Sequence, residues 1–248
     1  MRVLNTLYGL YALSIFALVI FLLFAPFIIL GPTLPIRRWF GRAAVHTAFF
    51  LLGTPLRVLR HAQLPAGRCI VVTNHASYLD GILMTAALPS RFTFVVQDGA
   101  ANWPVIGLII RRMGVSFVSR SSARAGSRQM RELMRRLHNN EALAIFPEGT
   151  FKAAPALLPF RDGAFLMAAR TDTPVVPAVI TGSRRMYGDG QKLPRWAPLK
   201  VQSFAPIQPT GSDRASAIAL KNAARAVVLA HCGEADSMAQ STSDSNES

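Results

Sequence analysis

The hydrophobic pattern divides the chain into three regimes. Residues 3–36 carry no charged side chain and residues 7–30 are almost wholly apolar, long enough to cross a hydrocarbon core of about 30 Å. From residue 64 onward, short apolar runs bounded by polar or glycine-bearing segments alternate with stretches of helical period, and over the last sixteen residues the pattern vanishes. The apolar runs predict strands over 69–73, 92–97, 115–118, 142–146, 175–181 and 199–204. Between them the spacing predicts helices over 77–88, 101–113, 124–139, 160–170 and 213–231. That alternation argues for an α/β fold with a mostly parallel or mixed central sheet flanked by helices, preceded by an N-terminal membrane-associated helical segment. Three parts follow: residues 1–60 as a membrane anchor, 61–232 as the domain that carries the chemistry, and 233–248 as a disordered tail, rich in Ser and acid and poor in aromatics.

The first segment is too long for the apolar region of a secretory signal, typically about 7–15 residues, and only Arg2 precedes it. It reads as a retained anchor. Arg37, Arg38, Arg42, Arg57 and Arg60 follow with no acid before Asp80, which places the following domain on the cytoplasmic side by the positive-inside rule. Pro26 and the Gly31-Pro32 pair interrupt helical hydrogen bonding. Residues 39–59 mix arginine with aromatic and aliphatic side chains and read as interfacial. Two shapes fit: a spanning helix with the second segment lying on the bilayer, or a bent hairpin embedded in one leaflet.

Charge changes the picture next. The chain of 248 residues has 27 basic and 13 acidic side chains. Four of the acids lie after residue 232, so the remainder carries 27 bases against 9 acids, a net +18. Such a body is drawn to anionic partners: nucleic acid, phosphate-bearing substrates or anionic lipid. Charged residues make up only 16% of the chain, against about 25% for an average soluble protein, so the balance leans to a membrane surface. Arg124, Arg128, Arg131 and Arg135 share one face of a predicted helix, with Met130, Leu133, Met134 and Leu137 on another. The basic face reads first as solvated surface and second as a grip for an acidic carrier protein or lipid headgroups. Cys69 and Cys232 lie far apart and form neither a disulfide framework nor a zinc pattern.

Candidate chemistry sits directly behind the predicted strands, where α/β proteins keep their sites. After the run 69–73 come Asn74, His75, Ser77 and Asp80. Five residues advance a regular helix by about 500°, which would leave His75 and Asp80 roughly 140° apart. They meet if His75 lies in the loop leaving the strand and Asp80 in the first turns of a helix begun near Ser77, with Ser77 as N-cap. The carboxylate then holds one imidazole nitrogen and leaves the other as a general base. Behind the run 142–145 stands Phe146-Pro147-Glu148-Gly149-Thr150. Glu148 has no reason to follow a buried strand unless something polar waits there, and Gly149 permits a sharp turn or close approach. Arg120 ends a third predicted strand with a guanidinium suited to a phosphate. Pro177 in the run 175–181 suggests an edge strand or a bulge.

These blocks, in this order, resemble the glycerolipid acyltransferases, whose best-known bacterial members are the lysophosphatidic acid acyltransferases. The resemblance runs from Asn74 to Val179. It rests on Asn74, His75, Ser77 and Asp80; on Gly114, Phe117 and Arg120; and on Phe146 to Thr150, continued by 158–161 and 163–165. Ala76 stands where the family commonly has Arg or Gln, and Phe151, followed by Lys152, where it often has Arg. The resemblance implies that His75 takes the proton of a lysolipid hydroxyl and Asp80 orients the ring. It implies acceptor binding by Asn74, Ser77, Arg120, Glu148, Gly149 and Thr150, with Lys152 or Arg161 adding positive charge. Acyl-CoA or an acidic acyl-carrier protein would be co-substrate, with no cofactor and no metal. The partners implied are the lipid bilayer of a bacterial inner membrane and a lysophospholipid, with no nucleic acid. Lysophosphatidic acid is the first acceptor, and a lyso-ornithine lipid the second because of Phe151. Two other classes remain beside it. A thioesterase or lipid hydrolase is weakened by the absence of a G-x-S-x-G elbow, and a non-catalytic anion binder would not need His75.

Overall fold

The structure, a computed structural model, describes residues 2–60, 63–97, 102–118 and 123–239. Helix α1 (Arg2–Phe16) continues through a π-helical stretch (Ala17–Phe24) into α2 (Ala25–Leu30). Together they make a continuous helix, Val3–Leu30, of 28 residues whose most apolar stretch has a mean hydropathy of 3.0, long and apolar enough to cross a membrane. Pro26 does not break it. Its ring would collide with the carbonyl four residues back in a regular helix, and the widened π turn, with Ala25 N–H donating to Ile20 O, takes up that collision. Gly31 and Pro32 then turn the chain, and α3 (Leu34–Leu51) runs back along the first helix. Tyr11 Oη donates to Leu51 O at 2.8 Å, Phe16 meets Phe49 edge-on with centroids 5.7 Å apart, and Phe27 stacks on Phe40 at 5.0 Å.

This hairpin lies against the domain instead of projecting from it. Near its start, Tyr8 Oη bonds Thr54 Oγ1 at 3.0 Å and Ala12 is fully buried. Near its end, Arg112 Nε donates to Ile29 O at 2.8 Å. The arginines that follow the apolar segment serve as the fastening. Arg38 is 8% exposed and donates to Met113 O, Ser90 O and Thr93 Oγ1 at 2.9, 3.0 and 2.9 Å. Arg42 reaches Leu88 O and Arg60 reaches Ala87 O, both at 3.1 Å. A guanidinium offers five donors in a planar fork and satisfies several carbonyls at once, so part of the positive charge is spent on the fold.

The elements after the hairpin are β1 (Leu56–Arg60), β2 (Ile70–Thr73), α4 (Asp80–Ala87), β3 (Phe92–Gln97), α5 (Pro104–Arg112), β4 (Ser116–Val118), α6 (Ala123–His138), β5 (Ala142–Ile145), β6 (Ala156–Leu157), α7 (Gly163–Arg170), β7 (Val175–Thr181), α8 (Ser183–Tyr187), β8 (Leu199–Ser203), α9 (Arg214–Cys232) and β9 (Ala235–Asp236). Among the described residues seven strands form one mixed sheet in the order β1-β8-β7-β2-β5-β3-β4. Its pairs are parallel except β7 with β8. One face packs on α4 and the hairpin through Leu83, Met84 and Phe49. The other packs on α6, α7 and α9 through Leu137, Phe165, Leu220 and Val228. The inner face of α6 carries Leu133 and Leu137, and Arg128 and Arg131 stay exposed.

Three expectations change. Residues 56–60, assigned above to the anchor, form β1 at the sheet edge, in register with β8 from Leu56 opposite Leu199 to Arg60 opposite Ser203. The sheet therefore begins before residue 61. Pro177 lies in a central strand, not at an edge: β7 pairs β2 on one side and β8 on the other. On the β8 side its carbonyl accepts from Phe204 N–H at 2.9 Å, and pairing resumes at Val175 opposite Ile207, one residue out of step, so the missing N–H falls at a bulge, the other arrangement expected above. The tail is partly ordered, since β9 pairs with β6 and Arg225 binds Asp236 at 2.5 Å; residues 240–248 lie outside the described residues.

Candidate active site

Strands β2 and β5 are parallel neighbours, with Val72 opposite Ile145, so the loops after them emerge side by side at the carboxyl end of the sheet. That is why two motifs about seventy residues apart meet. His75 sits in the loop after β2, and Asp80 is the first residue of α4. His75 Nδ1 lies 2.9 Å from Asp80 Oδ2, with Asp80 fully buried and the His75 side chain 21% exposed. The same carboxylate oxygen accepts Ala76 N–H at 2.6 Å and Ser77 N–H at 2.9 Å. Asp80 thus folds the loop back over its own helix start and holds the imidazole by one nitrogen, which leaves Nε2 for a substrate.

Ser77 is not the helix N-cap. The helix starts three residues later, and Ser77 Oγ accepts from Leu79 N–H at 3.0 Å while donating to Tyr187 O at 2.6 Å. Asn74 is buried as a clamp between strands: Nδ2 donates to Ile180 O at 3.0 Å and Oδ1 accepts Ile180 N–H at 2.8 Å. Both side chains shape the loop and neither lines the cleft.

Glu148 is 3% exposed. It accepts His75 N–H at 2.6 Å and Leu158 N–H at 2.8 Å, so it ties the loop after β5 to the backbone of the base. Gly149 follows at φ +70°, a left-handed turn that glycine adopts without strain, and Arg161 N–H donates to Pro147 O at 2.9 Å. Burial raises the Glu148 carboxyl to about 7 against the two N–H donors, which act to lower it. Unfolded, such a group ionises near its model value of 4.5. Between those values the folded chain holds more protons than the unfolded one, so this contribution is complete below about 4.5 and lost as pH rises through about 7. The whole effect is roughly 3 kcal/mol. Stability measured by denaturation in detergent is expected to fall from pH 5 to pH 8 in the wild type and to lose that slope in Glu148→Gln. An unchanged slope in the variant would assign the pH dependence elsewhere.

His75 opens on a cleft of about 1290 Å³ that extends to the surface of the N-terminal helix. Leu13, Phe16, Ile20 and Phe21 line one end, and Met130, Leu133, Ile145 and Met167 line the other. The space is apolar and large enough for acyl chains. Thr150, Phe151 and Arg161 stand at the rim, and Arg161 is the Lys or Arg among the described lining residues. Lys152 does not line the cleft; its carbonyl accepts from Arg184 Nη1. Arg120 lies outside the described residues. The sequence marked Phe146 as part of the third block and Phe151 as a departure from the family pattern, but placed neither ring on the histidine: Phe146 stacks on His75 at 4.5 Å and Phe151 meets it edge-on at 4.6 Å. Tyr78 in turn meets Phe151 at 4.8 Å. A tyrosine inside the first block and a phenylalanine just past the third were the signals available.

A histidine held by a buried carboxylate at the mouth of an apolar cleft, with no acylatable serine or cysteine paired to it among the described residues, is an arrangement chemically able to activate an incoming nucleophile. The chain belongs to the Acyltransferase family, which it matches over residues 56–181. It is 31% identical over 183 residues, 73% of its length, to the human 1-acyl-sn-glycerol-3-phosphate acyltransferase beta. It is 33% identical over 134 residues, 54% of its length, to the lyso-ornithine lipid O-acyltransferase of Rhizobium meliloti. The chain spans 65% of the former's length and 44% of the latter's. The crystal structure of the 1-acyl-sn-glycerophosphate acyltransferase from Thermotoga maritima shares the fold, with a TM-score of 0.73, 22% identity, and coverage of 92% of this chain and 94% of that one.

Proposed function

We propose that the protein transfers an acyl group from an acyl thioester to the free hydroxyl of 1-acyl-sn-glycerol-3-phosphate, giving phosphatidic acid. The observation that carries this reading is the His75–Asp80 pair, 2.9 Å apart at the rim of an apolar cleft. His75 Nε2 takes the hydroxyl proton as the oxygen bonds to the thioester carbon. The tetrahedral intermediate collapses, the carbon–sulfur bond breaks, and the thiolate takes the proton back from the imidazolium. Ester and thiol leave, and no protein atom is acylated. Arg161 at the rim supplies positive charge for the acceptor's phosphate, and Arg120 after β4 is the second candidate. Acyl-CoA and acyl-carrier protein both remain as donors; the exposed Arg128 and Arg131 suit the acidic carrier.

The membrane supplies the acceptor. Contacts with the domain run along the first helix from Tyr8 to Ile29, about 32 Å at 1.5 Å per residue. A helix flanked by a folded domain over that length lies in one leaflet instead of crossing both. Its outer side, with Leu4, Leu7, Leu18, Leu22 and Phe27, is exposed. The arginines that follow it support an orientation with the domain on the cytoplasmic face of a bacterial inner membrane.

A second acceptor, a lyso-ornithine lipid, is favoured by one observation: Phe151, an uncharged ring, stands against His75, and a relative carries that activity in its name. The test offers labelled acyl-CoA or acyl-carrier protein with lysophosphatidic acid, lyso-ornithine lipid or lysophosphatidylcholine to membranes containing the protein. Phosphatidic acid as main product is expected. Acylation of the ornithine lipid alone would select the second reading, and fatty acid released without acceptor dependence would sink both. In sealed vesicles, product is expected from added thioester only when the cytoplasmic face is outward; product from the opposite orientation alone would reverse the topology.

A further inference from the structure

A base able to draw a proton from a lysolipid hydroxyl can draw one from water, which would cleave the thioester instead of transferring its acyl group. The site therefore has to separate two chemically similar nucleophiles. His75 is enclosed on several sides by means that suit this task. Phe146 stacks on the imidazole at 4.5 Å and 27°, Asp80 occupies Nδ1, and Phe151 stands edge-on at 4.6 Å and 61°. Phe151 is itself backed by Tyr78, edge-on at 4.8 Å and 84°. Tyr78 is 52% exposed, donates from Oη to Asp189 Oδ1 at 3.3 Å and meets the Tyr187 ring at 5.5 Å. The outermost ring thus presents its polar tip to solvent and its apolar body inward.

We propose that Phe151, backed by Tyr78, is a gate that keeps bulk water from the His75 imidazole and so commits the acyl thioester to transfer instead of hydrolysis. The gate rests on the acyl-transfer reading above and adds the residue that sets its fidelity. Two fixed points hold Phe151 in place. Before it, Glu148 and the left-handed Gly149 bind the loop to the base. After it, Arg184 Nη1 donates to the carbonyls of Lys152 and Ala153, and Arg184 is itself paired with Glu234 at 2.6 Å. The cleft beside the rings is lined by the apolar residues Leu13, Phe16, Ile20 and Phe21, which suit a lysolipid and not water. Excluding water prevents the competing reaction and strengthens the electrostatics of the charged intermediate.

In the reaction the gate suppresses, His75 Nε2 takes a proton from water, the water oxygen bonds to the thioester carbon, and the carbon–sulfur bond breaks. The thiolate recovers the proton, leaving fatty acid and thiol. The test uses the full chain in mixed micelles with labelled long-chain acyl-CoA and lysophosphatidic acid, and reads the ratio of free fatty acid to phosphatidic acid. Phe151→Ala is expected to raise that ratio about tenfold, a modest part of the ~10²-fold that a positioned base gives a nucleophile it can reach. Tyr78→Ala should raise it less, and Phe151→Leu, which keeps an apolar cover, should hold it near the wild-type value. The extra fatty acid is expected to disappear in His75→Ala/Phe151→Ala. A gain in hydrolysis is not produced by a merely destabilised protein. An unchanged ratio in both alanine variants, or fatty acid that survives loss of His75, overturns the gate. A wild type that acylates no lysolipid overturns the acyl-transfer reading and the gate together, whereas normal transfer with an unchanged ratio overturns the gate alone.

Discussion

Alanine at position 75 is expected to lower the acyl-transfer rate by about 10²- to 10⁴-fold, the usual contribution of a positioned general base. The loss should fall on kcat with KM little changed, because the apolar cleft and Arg161, proposed to hold the acyl chains and the headgroup, are distinct from the imidazole. The fold should survive. Asp80 keeps the amides of Ala76 and Ser77 after the ring is gone, and Phe146 and Phe151 can close over the space. Steady-state kinetics beside a thermal melt read both quantities. Turnover within about tenfold of wild type, in a variant with an unaltered melt, would falsify the assignment of His75 as base.

The second large effect is expected at Asp80. In Asp80→Asn an amide oxygen can still accept from the two backbone amides and from Nδ1, but the negative charge that stabilises an imidazolium is gone. The amide nitrogen then takes the place of Oδ1, which is buried and has no hydrogen-bond partner among the described residues. If the amide flips to avoid this, it presents a donor to Nδ1 and holds the ring in the tautomer that cannot act as base. Either arrangement should cost roughly 10³-fold or more in kcat, by analogy with other His–Asp pairs that lose the carboxylate. It should also lower the melting temperature, because a buried unsatisfied donor costs about 1–3 kcal/mol. A variant with wild-type kcat would show that Asp80 only folds the loop. The contrast with His75→Ala separates the two roles: loss of rate alone for the base, loss of rate and stability for the group that positions it.

The Glu148 tether belongs to the same logic. From sequence the residue was expected to bind the acceptor; in the structure its carboxylate is inside, on the amides of His75 and Leu158. A buried carboxylate behind a strand signals that a polar partner exists, not which one. Asn74 and Ser77 illustrate the same limit. Each stands in the motif, and each is used to join segments distant in sequence: Asn74 to β7 and Ser77 to the end of α8.

The sequence by itself determined the strands that bear the site, the α/β class, the apolar N-terminal segment and the pairing of His75 with Asp80. Apolar runs of strand length, glycine after Glu148 and a His–Asp spacing that no single helix can close are local facts, and local facts survive folding. What the tertiary structure decided depends on neighbours. Pro177 is tolerated inside the sheet because its missing donor falls at the bulge between β8 and the Val175–Ile207 pair. Residues 56–60 became a strand because β8 offers an edge to an arginine-bearing segment that shows little alternation of its own. The arginines after the apolar segment bind carbonyls of the domain, and the first residues of the tail fold because Arg225 and β6 receive them. The place of Phe151, on the ring of His75, was decided there too, since β2 and β5 bring it to the base only by running parallel side by side.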